Sequence, residues 1–102
     1  MGARMKVEFC DQRLALVRTD RAAETKLPVS VIKSCREKLI VLEAAPDERT
    51  LRNWKSLHYE KLGGDREGQR SIRLNKQWRL TFELDDKISP PTATILGVED
   101  YH

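Results

Sequence analysis

The sequence predicts an α+β domain in which two to three N-terminal helices pack on one face of a small antiparallel β-sheet. Three observations carry that expectation. Apolar residues recur at three and four positions over 28–45, apolar and polar residues alternate in twos after residue 70, and the change of period follows a loop-forming stretch, Gly63-Gly64-Asp65-Arg66-Glu67-Gly68.

Taken in order, Met5 to Phe9 alternates as a half-buried strand does, and its shortness places it at a sheet edge. Asp11 can cap a helix through Arg18 with Leu14 and Val17 on one side, and Thr19 to Lys26 reads as a connector. Pro28 suits a first helical turn, after which Val31, Ile32, Cys35, Leu39 and Leu42 form one apolar stripe. Ala44-Ala45-Pro46 ends this helix. Asp47 then caps a third, bearing Leu51, Trp54 and Leu57. In the hairpin that follows, Ile72 and Leu74 share one side, a turn forms near Asn75-Lys76, and Trp78, Leu80, Phe82 and Leu84 share the next. Arg73, Asn75, Gln77 and Arg79 would project from the other face. Ser89-Pro90-Pro91 breaks the chain before a final strand over 92–101. Both tryptophans fall on apolar sides and are expected in the core.

A chain of 102 residues reads as a single domain over 1–102. No run of 18 apolar residues is present, and the N-terminus lacks the apolar stretch of a secretory signal, which points to the cytoplasm. Cys10 and Cys35 lack the paired spacing of a zinc site and are expected to be small buried apolar side chains, with no metal or other cofactor implied. The net charge of +3 is unevenly placed: residues 49–79 carry nine basic side chains against three acidic, and residues 80–102 one against five. A positive middle third is what a phosphate-binding surface requires.

The chain ends Glu99-Asp100-Tyr101-His102 after the apolar run 93–98, so a carboxylate, a phenol and an imidazole are placed together where a strand can hold them. The second imidazole, His58, opens the basic stretch. Cutting RNA through its own 2′-hydroxyl needs one group to take a proton, one to return it, and fixed cations for the charge that builds on the phosphoryl oxygens. His58 and His102 suit the proton steps, Asp100 and Tyr101 assist, and Arg79 and Lys61 are candidate cations. The pattern also admits a sheet that binds RNA without breaking a bond.

The ordered combination Leu57-His58, Lys61, Gly64 to Gln69, Ser71 to Asn75, Gln77-Trp78-Arg79-Leu80 and Glu99 to His102 resembles the HigB-like plasmid-maintenance killer toxins of the RelE superfamily. The match spans roughly Leu57 to His102. The resemblance implies a RelE-like fold and a metal-independent endoribonuclease, the toxin component of a type II toxin-antitoxin system, that cuts messenger RNA at the ribosomal A site. It implies silencing by a cognate helix-turn-helix antitoxin, HigA-like, and no membrane partner. It assigns catalysis to His58, Asp100, Tyr101 and His102, with Lys61 and Arg79 assisting at the phosphate, and contact with message or ribosomal RNA to Arg73, Lys76 and Gln77; Arg66 and Arg70, from the basic stretch, are further RNA-binding candidates. A gyrase-inhibiting toxin of the ParE kind is the alternative of the same fold. The chain departs from the family pattern at Leu62 and one extra glycine after Lys61, at Arg70 in place of an aromatic residue, and at Tyr59 and Glu60.

Overall fold

The apolar stripe predicted over 28–45 becomes the longest helix of the computed structural model, which describes residues 4–101. Helix α2, Val29–Ala44, follows Pro28 and buries Val31, Ile32, Cys35, Leu39 and Leu42. These meet Ile72, Leu80, Phe82, Ala93 and Ile95 from the sheet in one apolar cluster. The Ser34 hydroxyl donates to the Leu74 carbonyl at 2.6 Å, a polar tether between helix and hairpin.

The sheet has five strands: β1 Lys6–Phe9, β2 Glu60–Lys61, β3 Gln69–Arg73, β4 Trp78–Asp85 and β5 Thr92–Asp100, in the order β1-β5-β4-β3-β2. The antiparallel pairing of β3, β4 and β5 is as expected, and β2 adds a fourth antiparallel strand that the sequence does not announce. Strand β1 lies at the edge, but parallel to β5, so the sheet is mixed. The reason is the topology: the chain leaves β1, crosses through the helices, and Met5 donates its amide to the Ala45 carbonyl at the far end of α2.

The remaining helical segments are shorter than the sequence predicts. Asp11 does cap α1, accepting from the Arg13 amide at 2.8 Å, but the α-helix covers only Gln12–Ala15 and tightens into a 3-10 turn over Leu16–Arg18. Within the expected connector, Ala22–Thr25 forms another 3-10 turn. Asp47 caps α3, Glu48–Asn53, through the Thr50 amide at 2.9 Å. The helix stops there, and a separate 3-10 turn, Lys55–Leu57, carries the chain onward.

Two burial expectations are corrected. Trp54 is 44% exposed because its backbone is extended at the helix end (φ −88°, ψ 93°), which takes it off the side shared with Leu51. Cys10 is exposed, while Cys35 is buried and desolvation pushes its thiol up to about 11. Trp78 is half-buried against the core, as predicted.

One irregularity in β5 decides which way Glu99 and Tyr101 face. Thr81 pairs with Gly97 but Phe82 pairs with Ile95, so Leu96 is an extra residue, a β-bulge. Alternation would turn Ile95 and Val98, three apart, to opposite faces; the bulge lets both join the helix side. Glu99 and, by alternation, Tyr101 therefore fall on the open side with Arg79.

Candidate active site

The 3-10 turn Lys55–Leu57 is pinned by buried Leu57 and packs on β3. It ends at His58, whose backbone is left-handed (φ 46°). That region is costly for a residue with a Cβ and is held only where the surroundings fix it. Here the fixing group is Arg79. Its guanidinium donates through Nη2 to the His58 carbonyl, and through Nε to the Ser71 hydroxyl at 2.8 Å. Its carbon lies 5.7 Å from the centre of the Tyr101 ring, and Nη1 lies 3.9 Å from Glu60. Arg79 is only 9% exposed, so this is a desolvated, preoriented cation.

Two further arginines share that face. Arg73 pairs with Arg79 across the hairpin and places Nη1 3.2 Å from His58 Nε2, while its Nε donates to the Asn75 carbonyl. A guanidinium can only donate, so in this contact Nε2 is the acceptor. Arg66 comes from the glycine-rich loop, where Gly64 and Gly68 take positive φ. It grips both Glu99 oxygens at 2.8 and 2.5 Å and donates to the Gln69 side chain. Hydrogen bonding from Arg66 holds the Glu99 carboxyl below the usual range, and the same contact, aided by Tyr101, raises Arg66.

The chain end is strapped to the β3–β4 turn. The Asn75 side chain accepts from the Gln77 and Trp78 amides and so shapes that turn. The Gln77 carbonyl accepts from the Tyr101 amide at 2.7 Å, and its side-chain nitrogen donates to Asp100 at 2.9 Å. Gln77 thus orients Asp100 and Tyr101, and Lys76 is exposed at the turn beside it.

The predicted site residues divide accordingly. His58, Arg66, Arg73, Arg79 and Tyr101 are brought together, with Asp100, Gln77 and Lys76 at the adjoining end of the sheet. His102 lies outside the described residues. Lys61 and Arg70 are not brought to this face. They pair with each other across β2 and β3, and Arg70 also opposes Phe82, which turns both toward the helices. There Arg70 Nε donates to Glu48 at 3.2 Å and Lys61 lies 4.0 Å from the same carboxylate, which also accepts from the Tyr59 hydroxyl. Ser71, Glu60 and Glu99 complete the site without having been assigned to it. Alternation from Arg79 would have found Ser71, but the Glu99 partner depends on the bulge.

Glu48 and Glu99 give the fold a specific acid sensitivity. Burial pushes Glu48 up, but hydrogen bonds from Tyr59 and Arg70 outweigh it and leave its carboxyl below the usual range. A carboxyl that is more acidic folded than unfolded stabilises fully above its unfolded value, about 4.3, and loses that contribution as pH falls through the folded value. Thermal melts should therefore show the gap between wild type and Glu48→Gln closing as pH drops from 7 to 3; a gap independent of pH would contradict it.

Helices on one face of a small mixed sheet and basic side chains on the other describe the fold of the small RelE-type toxins. The chain superposes on YafQ in the E. coli DinJ-YafQ toxin-antitoxin complex with a TM-score of 0.62 at 16% identity, covering 96% of this chain and 93% of that one. The YoeB/ParE toxin from Agrobacterium tumefaciens gives 0.59 at 12% identity, covering 96% and 100%. Sequence is more specific. Toxin HigB-1 of Vibrio cholerae serotype O1 is 35% identical over 85 residues, 83% of this chain and 90% of that protein. Residues 7–93 match the family described as RelE-like toxin of type II toxin-antitoxin system HigB, and the chain belongs to that family.

Proposed function

We propose that this toxin is an endoribonuclease that cuts messenger RNA in the ribosomal A site and is silenced by a cognate helix-turn-helix antitoxin. The observation that carries the catalytic reading is Arg79: one buried guanidinium holds the backbone of His58 and faces the ring of Tyr101, with Arg73 at the imidazole. Groups far apart in sequence are thereby fixed together on one face of the sheet, an arrangement that suits a phosphodiester.

In the proposed reaction Arg73 passes from His58 Nε2 to the phosphate as the message binds, and the lone pair so freed takes the proton of the 2′-hydroxyl as that oxygen attacks the adjacent phosphorus. The O2′–P bond forms and the P–O5′ bond breaks, leaving a 2′,3′-cyclic phosphate and a 5′-hydroxyl. Arg79 and Arg73 oppose the charge on the phosphoryl oxygens, and Arg79, being preoriented, needs little rearrangement as it develops. The leaving oxygen takes its proton from the chain end, where the Gln77 strap orients Asp100 and Tyr101 and the sequence supplies His102. Lys76 and Arg66 would lie along the RNA backbone on either side.

General acid-base groups contribute about 100- to 10,000-fold. His58→Ala should lower message cleavage on translating ribosomes by at least about 100-fold with an unchanged circular dichroism spectrum; cleavage near the wild-type rate would overturn the assignment. The antitoxin is expected because the related YafQ is held in a complex with DinJ. Co-expression with the neighbouring reading frame should yield a complex that no longer arrests growth.

A further inference from the structure

Among the described residues five large apolar side chains are exposed, and only two of them, Trp54 and Tyr101, are aromatic. Tyr101 belongs to the site. Trp54 has no role in the core, yet it opens the very turn that His58 closes. The Leu57 amide donates to the Trp54 carbonyl at 3.0 Å and the His58 amide to Lys55 at 3.1 Å, so the two residues flank a single 3-10 turn. At roughly 2 Å rise per residue, their backbones are about 8 Å apart.

The charge around Trp54 is also unspent. Arg66, Arg70 and Arg79 are engaged by Glu99, Glu48 and Glu60. Arg49, Arg52 and Lys55 are exposed and form no ion pair among the described residues. The acidic group at the head of this helix, Asp47, accepts from Thr50 and is near enough to Arg49 and Arg52 to feel their charge, but forms an ion pair with neither. An open indole among free cations matches the chemistry of single-stranded nucleic acid, whose bases stack on aromatic faces while phosphates meet lysine and arginine.

We propose that Trp54, with Arg52 and Lys55, forms a stacking subsite for an unpaired RNA base close to the scissile phosphate at His58. The subsite deepens the nuclease reading and rests on it for its substrate. It places the message by stacking rather than by chemistry, so Trp54 is a binding residue and His58 keeps the proton step.

A short 2′-O-methyl oligoribonucleotide, which lacks the attacking hydroxyl, tests this without cleavage. Trp54→Ala should weaken its binding by about tenfold or more, as expected for loss of one base-aromatic stack, and Trp54→Phe should retain most of it. On ribosomes Trp54→Ala should raise KM and leave kcat within about twofold. In the unsubstituted protein the same oligonucleotide should quench tryptophan fluorescence and shield it from iodide. Binding of Trp54→Ala within twofold of wild type, equal losses in the alanine and phenylalanine variants, or no quenching would each overturn the subsite. Message cleavage with Trp54-independent binding sinks the subsite alone. Trp54-dependent binding by a protein that cuts no message sinks the nuclease reading alone.

Discussion

Arg79→Lys should reduce message cleavage by about 100-fold or more although the charge is kept. Lysine has one nitrogen at the end of a flexible stem, whereas Arg79 makes its contacts from a planar fork: Nε to Ser71, Nη2 to the His58 carbonyl, and its face toward Tyr101. An ammonium can replace one of these and leaves the others unmet. His58 would then lose the partner that holds its left-handed backbone, and the fixed cation would become mobile. Loss of a single preoriented donor in other active sites costs about 100- to 1,000-fold, which sets the expected scale. Cleavage assays on translating ribosomes, with melting temperature as the control, check it. Retention of more than a tenth of wild-type activity would mean that Arg79 supplies charge and nothing more.

The largest effect on stability is expected at Phe82. Its side chain is fully buried, pairs in register with Arg70 and Ile95, and meets Tyr59 edge-on with ring centres 6.5 Å apart. Phe82→Ala removes an aromatic ring from the point where the helices, β4 and the Glu48-Tyr59-Arg70 cluster meet. The expected cost is about 3–5 kcal/mol, transfer and cavity terms together. For a chain of this size that lowers the melting temperature by more than about 12 °C. A loss below about 1 kcal/mol in denaturant titration would show that the site collapses around the missing ring.

Local periodicity explains which parts of the fold could be read from residues alone. All five residues of the α2 stripe are buried, and the two-residue alternation of the hairpin puts Ile72, Leu80 and Phe82 in the core. What escaped depends on contacts distant in sequence. The parallel pairing of β1 with β5 is set by the crossover, and the bulge at Leu96 by strand register, neither of which leaves a pattern within ten residues. Trp54 was misassigned because a three-residue spacing from Leu51 implies a shared side only while the helix continues, and α3 ends at Asn53.

The same logic divides the site. His58, Arg73, Arg79, Asp100 and Tyr101 were legible because their chemistry is conspicuous and the resemblance orders them. Lys61 is grouped with them by charge and by the resemblance, and Arg70 by charge, but strand parity turns both to the helix side, where Glu48 takes them up. Two of the departures from the family pattern, the extra glycine after Lys61 and the arginine at 70, fall in that displaced region. What replaces an aromatic residue there is a polar cluster that clamps Tyr59, the residue next to His58.

The central claim is that His58 and the chain end, gathered on Arg79, cut message during translation. Mapping message 5′ ends after brief expression tests it most directly. Cuts inside translated reading frames, in register with codons, bearing 5′-hydroxyl ends and absent for His58→Ala, are the predicted result. Growth arrest with intact messages, or equal cutting of untranslated RNA, would contradict it.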